Sequence, residues 1–210
     1  MAWFFRRKNE DNRPDTGEDG DTASDQVVET IHTDGPWDAD ALGDMGDRLD
    51  AGALWIPLVP GASLQFTLDR NRKQVLGVVY AKNGSALQLQ AFAAPRSRGI
   101  WDEVRRDMQT SIAKQGGSSQ ETTGPFGDEL RAQMPVPNSK DYAPHRFLGV
   151  DGPRWLLRAT IYGKAGSDDA AASEMISIMK DVAVARGQTP HPPRELLPLE
   201  IPEQVKSKDQ

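Results

Sequence analysis

Between residues 54 and 162, apolar and polar residues alternate along several short stretches, which is the period of a strand with one buried face. Leu64, Phe66 and Leu68 alternate with polar neighbours, and the same period recurs from Leu87 to Ala93. Asn83-Gly84 favours a two-residue hairpin before that second stretch, because both positions of a type I′ turn need a positive φ. The pattern predicts strands at residues 54–59, 63–69, 74–81, 87–93, 119–123, 129–136, 146–150 and 154–162.

Two other stretches carry the spacing of an amphipathic helix. The first has apolar residues at intervals of three and four, namely Trp101, Val104, Met108 and Ile112. Gly116-Gly117 is predicted to end it. The second helix is predicted to begin near Ser167 or Asp168. Its predicted buried residues are Ala172, Met175, Ile176 and Met179.

Successive strands interrupted by only two helices are typical of the α+β class. We therefore expect an antiparallel sheet of about six to eight strands with two main helices packed on it. Residues 51–187 are predicted to form this single domain. Residues 188–210 contain the proline-rich stretch TPHPPRELLPLEIP and are predicted to form an extended C-terminal arm. This arm would contact the domain through Leu196, Leu197, Leu199 and Ile201.

The net charge of −6 at pH 7 is unevenly distributed along the chain. Residues 1–50 carry 14 acidic against 5 basic side chains and few apolar ones, so they are predicted to form an acidic, largely disordered N-terminal arm. Residues 51–210 carry 17 acidic and 20 basic side chains. That small excess gives no support for nucleic-acid binding, which uses a concentrated basic face.

The chain contains no cysteine, which excludes disulfides, thiolate zinc sites and cysteine nucleophiles. No apolar run reaches the length of about 18 residues that crosses a bilayer. The start, MAWFFRRKNE, lacks the apolar region of a signal peptide. We therefore expect a cytoplasmic protein without a transmembrane segment.

Sequence motifs for catalysis or nucleotide binding are absent: there is no GxSxG, no Walker loop and no GxGxxG at the start of a helix. No metal-ligand spacing involves the three histidines, His32, His145 and His191. Asp102 and Glu103 fall in the first turn of the first predicted helix, where acids complement the helix dipole. Asp151, in GVDGPRW, is assigned to a turn. The sequence favours a non-enzymatic protein with no cofactor or metal, and the question of an enzyme stays open.

The loop at residues 95–99 is the best candidate for a ligand site. Arg96, Arg98 and Gly99 stand just before the N-terminus of the first predicted helix, where unpaired N–H groups favour anions, and Arg105 follows about two turns later. These four residues are predicted to bind an anionic ligand, such as a nucleotide or a phosphometabolite. The alternative is that the arginines are solvated, or pair with acids of the helix's first turn or of the N-terminal arm.

A second group of polar residues falls on the strand predicted at residues 154–162. Arg154, Arg158 and Tyr162 share the face opposite the apolar residues that begin with Trp155. An uncovered face of this kind is an ordinary polar surface, whereas a concave one is a binding surface.

The stretches GSALQLQAFAAPRSRGIWDEVR, GPFGDELRAQMPV and RFLGVDGPRWLLRATIYG resemble an uncharacterised actinobacterial family, a domain of unknown function. The resemblance covers roughly residues 54–198, and it implies no established activity, cofactor or catalytic residue. The order of strands and helices is also loosely similar to the PsbP-like sandwich, a fold used mostly for binding and assembly.

Three hypotheses of function follow. The first is a non-enzymatic binding or adaptor protein with a protein partner of unknown identity. The second is a small enzyme or anionic-ligand binder that uses Arg96 and Arg98. The third is a peripheral membrane protein that binds an anionic surface through the WFFRRK start, Trp3 to Lys8.

Overall fold

The computed structural model describes residues 34–71 and 73–206, and these contain eleven strands and four α-helices. In chain order the elements are β1 Trp37–Asp38, α1 Ala39–Leu42, β2 Leu49–Asp50, β3 Leu54–Ile56, β4 Ser63–Leu68, β5 Val75–Lys82, β6 Ser85–Ala93, α2 Trp101–Lys114, β7 Ser118–Gly124, β8 Gly127–Pro135, β9 Tyr142–Gly152, β10 Trp155–Gly163, α3 Asp169–Lys180, β11 Ala183–Val184 and α4 Glu203–Lys206. A short 3-10 helix, Lys164–Gly166, lies between β10 and α3.

Seven strands form one antiparallel sheet in the order β4-β5-β6-β10-β9-β8-β7. Between β5 and β6, Asn83 and Gly84 have φ angles of 53° and 76°, as a type I′ hairpin turn needs. Gly116, at a φ of 82°, follows α2 where the sequence predicts its end. The predicted class, an antiparallel sheet with two main helices in an α+β fold, is confirmed.

A second sheet holds four short strands in the order β1-β11-β3-β2. The stretch 54–59, predicted as one strand, contributes only β3 to it, although Leu54 and Ile56 are fully buried. β1 and β11 pair in parallel, so that Trp37 lies opposite Ala183. Strands of two or three residues carry too few alternating positions to be recognised in a sequence.

The large sheet is covered on both faces by different elements. Along β10, Trp155, Leu157, Ala159 and Ile161 face α3 and the small sheet, and they belong to the larger apolar core. On the other face, α2 packs over β7, β8 and β9 around Trp101, Ile112 and Leu156. The larger core therefore lies on the α3 face, and the α2 face holds a smaller one.

Chain segments at both ends of the domain pack against it. In the C-terminal arm, Leu197 N donates to Ala91 O at 2.9 Å, and Ala93 N donates to Glu195 O at 2.8 Å. In residues 34–50, the Asp38 carboxylate accepts a hydrogen bond of 2.6 Å from Trp155 Nε1. Residues 34–50, which the sequence assigned to the N-terminal arm, therefore pack against the domain predicted to start at residue 51. Residues 1–33, the rest of the predicted acidic arm, lie outside the described residues.

Candidate functional site

The predicted ligand loop precedes α2, as expected. Arg96 and Arg98 are exposed. Arg98 Nη1 lies 2.6 Å from Glu103 Oε1, so Arg98 forms an ion pair with an acid of the first helical turn, which was the alternative to ligand binding. Gly99 packs so closely on the Asp151 side chain that an added Cβ would overlap the carboxyl group. The structure thus brings three of the four predicted residues onto one exposed loop.

The carboxylate of Asp151 lies at the N-terminus of α2, where an anionic ligand would be expected to bind. Its carboxylate accepts the N–H of Ile100 at 2.8 Å and the N–H of Trp101 at 3.1 Å. The residue lies in β9 and caps a helix, rather than serving only a turn as the sequence indicated. An anion bound at the loop would rely on the arginines, since Asp151 already takes these two N–H groups. Ligand binding by the loop stays a prediction.

The fourth predicted residue, Arg105, is 5% exposed, and acidic side chains surround its guanidinium. Its guanidinium pairs with Asp102 at 2.8 Å, with Glu121 at 2.9 Å and with Asp128 at 3.3 Å. Although burial opposes the charge, the hydrogen bonds to Glu121 and Asp102 raise the pKa of Arg105 above its ordinary value. These ion pairs join α2 to the β7–β8 hairpin, and we interpret Arg105 as a structural residue.

Two further arginines lie near the loop. Arg154, in the β9–β10 turn, accepts the N–H of Ala94 at 2.9 Å and Nε–H of Arg186 at 3.2 Å through its carbonyl oxygen. Burial and the charge of Arg154 both lower the pKa of Arg186. Within the described residues, Arg96, Arg154 and Arg186 form no ion pair. Arg154 therefore belongs to this end of the molecule and not to the sheet face that carries Arg158.

The α2 face of the sheet has a second half, on β6 and β10, where polar side chains are partly exposed. Gln88 on β6 lies opposite Thr160 on β10, and Gln90 lies opposite Arg158. Gln88, Gln90 and Arg158 each keep part of their surface in solvent, and so does Tyr162 at the end of the row. We call this surface, defined by Gln88, Gln90, Arg158, Thr160 and Tyr162, the polar sheet face.

Arg158 stands at the border between the polar sheet face and α2. Its guanidinium carbon lies 4.9 Å from the centre of the Phe92 ring, and Nη1 lies 3.9 Å from Met108 Sδ. Nη2 donates to Gln90 Oε1, whereas Nε is buried without a partner. Burial lowers the pKa of Arg158, and among the described residues no carboxylate pairs with it. Arg158 is thus a partly exposed residue whose guanidinium contacts only neutral groups within the described part of the chain.

An aromatic stack borders the same face. The His145 ring lies 5.5 Å from the Tyr162 ring and 6.1 Å from the Phe147 ring, measured between ring centres. His145 Nδ1 lies 3.0 Å from Ala143 O. In the sequence, His145 has no neighbour at metal-ligand spacing, and nothing there indicates this stack. The described residues contain no group of three or more acids and histidines that could hold a metal ion.

The opposite side of the sheet contains a groove of about 460 Å³ beside α3. Its lining includes Pro125 and Arg146 together with Asp169, Ser173, Ile176, Ser177 and Lys180 of α3. Arg146 is 4% exposed and pairs with the buried Glu129 at 2.9 Å and with Asp169 at 2.9 Å. Ile176, predicted as a core residue, is only partly buried because it faces this groove. Sequence reasoning missed the Glu129–Arg146 pair, since both residues read as ordinary polar positions of strands.

None of the helices in residues 34–71 and 73–206 is long and apolar enough to span a membrane. A model of the family described as "Protein of unknown function (DUF3710)" matches residues 35–208. No curated protein matches the chain. Among solved structures, the solution structure of cyanobacterial PsbP (CyanoP) from Synechocystis sp. PCC 6803 is similar, with 10% identity and a TM-score of 0.39 over 63% of this chain and 86% of that chain. A TM-score this low carries no inference about function.

Proposed function

Because this chain belongs to the DUF3710 family, whose description gives no activity, we propose from its own surface that it is a non-enzymatic binding protein for an anionic group of a protein partner. The match of the family model to residues 35–208 confirms the resemblance to a domain of unknown function. The partner is proposed to bind the polar sheet face, with Arg158 contacting its carboxylate or phosphate. The observation that carries this proposal is that Arg158 is a partly exposed residue whose guanidinium has no carboxylate partner among the described residues.

The surroundings of Arg158 support an anion more than any other ligand. Burying a cation costs free energy unless an opposite charge offsets it, and Phe92 and Gln90 supply none. Both groups nevertheless hold the guanidinium in one orientation, which lowers the entropy lost when a partner binds. Arginine held in this way is a frequent centre of binding energy in protein interfaces.

Neighbouring groups on the polar sheet face suit a peptide rather than a bare ion. Gln88 and Gln90 offer amide donors and acceptors, and the stacked rings of His145 and Tyr162 offer a flat, partly apolar surface. A segment with an acidic or phosphorylated residue beside an apolar one would match both features. This chemistry is that of an adaptor, since it needs no nucleophile or general base.

A second candidate is the anionic-ligand binder predicted from Arg96 and Arg98. It is favoured by the position of Arg154 and Arg186 near the same loop, where burial and the charge of Arg154 lower the pKa of Arg186. Asp151 counts against it, because its carboxylate already accepts the N–H groups at the start of α2. The membrane hypothesis concerns Trp3 to Lys8, which lie outside the described residues, and it stays a prediction.

One capture experiment separates the two surfaces. The full-length protein and three variants, Arg158→Met, Arg106→Met and Arg96→Ala/Arg98→Ala, would be immobilised and exposed to extract of the native host. We expect the captured amount of at least one protein to fall about tenfold or more with Arg158→Met and to stay unchanged with the other two variants. Truncating a central interface arginine typically removes much of the binding energy. Arg106, exposed on α2, is the matched control.

Bound proteins would be quantified by mass spectrometry, and a thermal melt would verify that each variant is folded. If every bound protein is retained equally by wild type and Arg158→Met, the polar sheet face is not the binding surface. Loss confined to Arg96→Ala/Arg98→Ala would contradict the first proposal and favour the second.

A further inference from the structure

The groove beside α3 lies on the other side of the sheet from the polar sheet face. Ile176 is partly exposed in it, although Met175, Ile178 and Met179 around it are buried. Ser173 and Ser177, one helical turn apart, flank Ile176, and Pro125 lines the facing side. An aliphatic side chain between hydroxyl groups suits an extended segment whose own side chains are partly aliphatic and partly polar.

The described chain begins at one end of this groove. Asp34 Oδ2 lies 3.6 Å from Nζ of Lys180, which lines the groove. Gly35 packs so closely on the Lys180 carbonyl that an added Cβ would overlap it, and Trp37 N donates to Val182 O at 2.9 Å. The residues that precede Asp34 must therefore start from the Lys180 end of the groove.

The sequence before Asp34 has the composition that the groove suits. Val27, Val28 and Ile31 are the branched aliphatic residues between Asn9 and Thr33, and the others there are mostly polar. An extended chain advances about 3.3 Å per residue, so that Thr30 can lie roughly 13 Å from Asp34. Ser173 lies about 10 Å from Lys180 along the helix axis. Residues 27–33 are thus long enough to run beside α3 past Ser173.

We propose that residues 27–33 of this same chain dock in the groove beside α3. In the proposed arrangement Ile31 packs on Ile176 and Pro125, while backbone groups of the segment meet the hydroxyls of Ser173 and Ser177. The docked segment occupies the α3 side of the sheet and leaves the polar sheet face free. Groove and partner surface are therefore separate, and either can be tested without the other.

The absence of cysteine makes a disulfide-trapping experiment on the full-length chain direct. Thr30→Cys/Ser173→Cys places one cysteine in the segment and one in the groove. The matched control, Thr30→Cys/Ser111→Cys, places the second cysteine at an exposed position of α2, on the opposite face of the sheet. At low protein concentration, we expect the first pair to oxidise about tenfold or more faster than the control, because docking raises the effective concentration of the two thiols.

Non-reducing gels and mass spectrometry of the linked peptides report the products. Because the attachment at Asp34 already brings Thr30 nearer to Ser173 than to Ser111, Ile31→Asp in the first pair tests docking itself. It should slow oxidation of that pair about tenfold, and an unchanged rate would overturn the proposal. Equal rates for the two cysteine pairs would overturn the proposal. A disulfide-linked dimer as the main product would also overturn it, by assigning the groove to a second copy of the chain.

Discussion

Arg146 and Arg158 are carried by neighbouring strands, but their surroundings differ in charge. Arg146 pairs with the buried carboxylate of Glu129 at 2.9 Å, and with Asp169 at 2.9 Å. Arg158 contacts Phe92 and Gln90, which are neutral. Removing the first cation would leave a buried anion without one of its partners, whereas removing the second would leave no charge behind.

Replacement of each arginine by methionine, which keeps most of the side-chain volume, tests this difference. We expect Arg146→Met to lower the free energy of unfolding by about 3 kcal/mol. Arg158→Met should change it by less than about 1 kcal/mol, because the lost cation–aromatic contact is offset by removal of an unpaired charge. Urea denaturation at pH 7 measures both. A loss with Arg158→Met as large as with Arg146→Met would mean that Arg158 serves the fold rather than a partner.

Arg105 shows how far single residues could be predicted. The sequence places Arg105 correctly in α2. Its ion pairs with Glu121 and Asp128 join it to the β7–β8 hairpin, and no local sequence pattern predicts such contacts. One signal was present: position 105 lies four residues after Trp101 and seven before Ile112, which places it on the buried stripe of α2. A basic residue on such a stripe indicates a buried ion pair at least as readily as a ligand site.

At the scale of elements, the body of α2 was predictable and its beginning was not. The apolar spacing and Gly116-Gly117 identify the helix and its end, because both are local signals. Ile100 precedes the helix and makes no side-chain capping bond. The capping carboxylate comes from Asp151, which is distant in sequence, so only the folded sheet brings it to the helix.

The pH dependence of stability tests this cap. Burial raises the pKa of Asp151 above its ordinary value of 3.8, and this effect outweighs the N–H groups of Ile100 and Trp101. The folded state then binds the proton more tightly than the unfolded state. Wild type should therefore lose stability relative to Asp151→Asn as pH rises from about 3.8 through the raised pKa.

Free energies of unfolding of both proteins between about pH 3.5 and 7 give the comparison. Asp151→Ala is the control, since it removes the acceptor altogether and should cost about 1 kcal/mol even at low pH. If the free energy of unfolding of wild type instead rises relative to that of Asp151→Asn as pH rises, the N–H groups outweigh burial and the pKa of Asp151 is lowered.

At the scale of the whole molecule, the sequence predicted the class and the long strands but not how distant segments meet. The small sheet pairs Trp37 with Ala183, and Gly52 forms a bridge with Leu199. These contacts involve two residues at a time, which is too short for a period to be visible. The polar sheet face likewise depends on where α2 lies, and strand alternation alone does not settle that.

Two shortened chains test how much residues 34–50 contribute. A chain that begins at residue 51 lacks β1, α1 and β2, and with them the Asp38–Trp155 hydrogen bond and the buried Leu49. We expect it to melt at least about 5 °C below a chain that begins at residue 34. Circular dichroism on the two purified chains measures this difference. Equal melting temperatures would show that residues 34–50 add nothing to stability.

The pairing of the C-terminal arm with β6 bears on how the protein is made. Ala91 and Ala93 lie in the middle of the large sheet, yet their backbone bonds go to Leu197, Arg194 and Glu195 near the end of the chain. A ribosome synthesises these residues about a hundred residues after β6. These backbone bonds of β6 therefore form only after every strand from β7 to β11 has been synthesised.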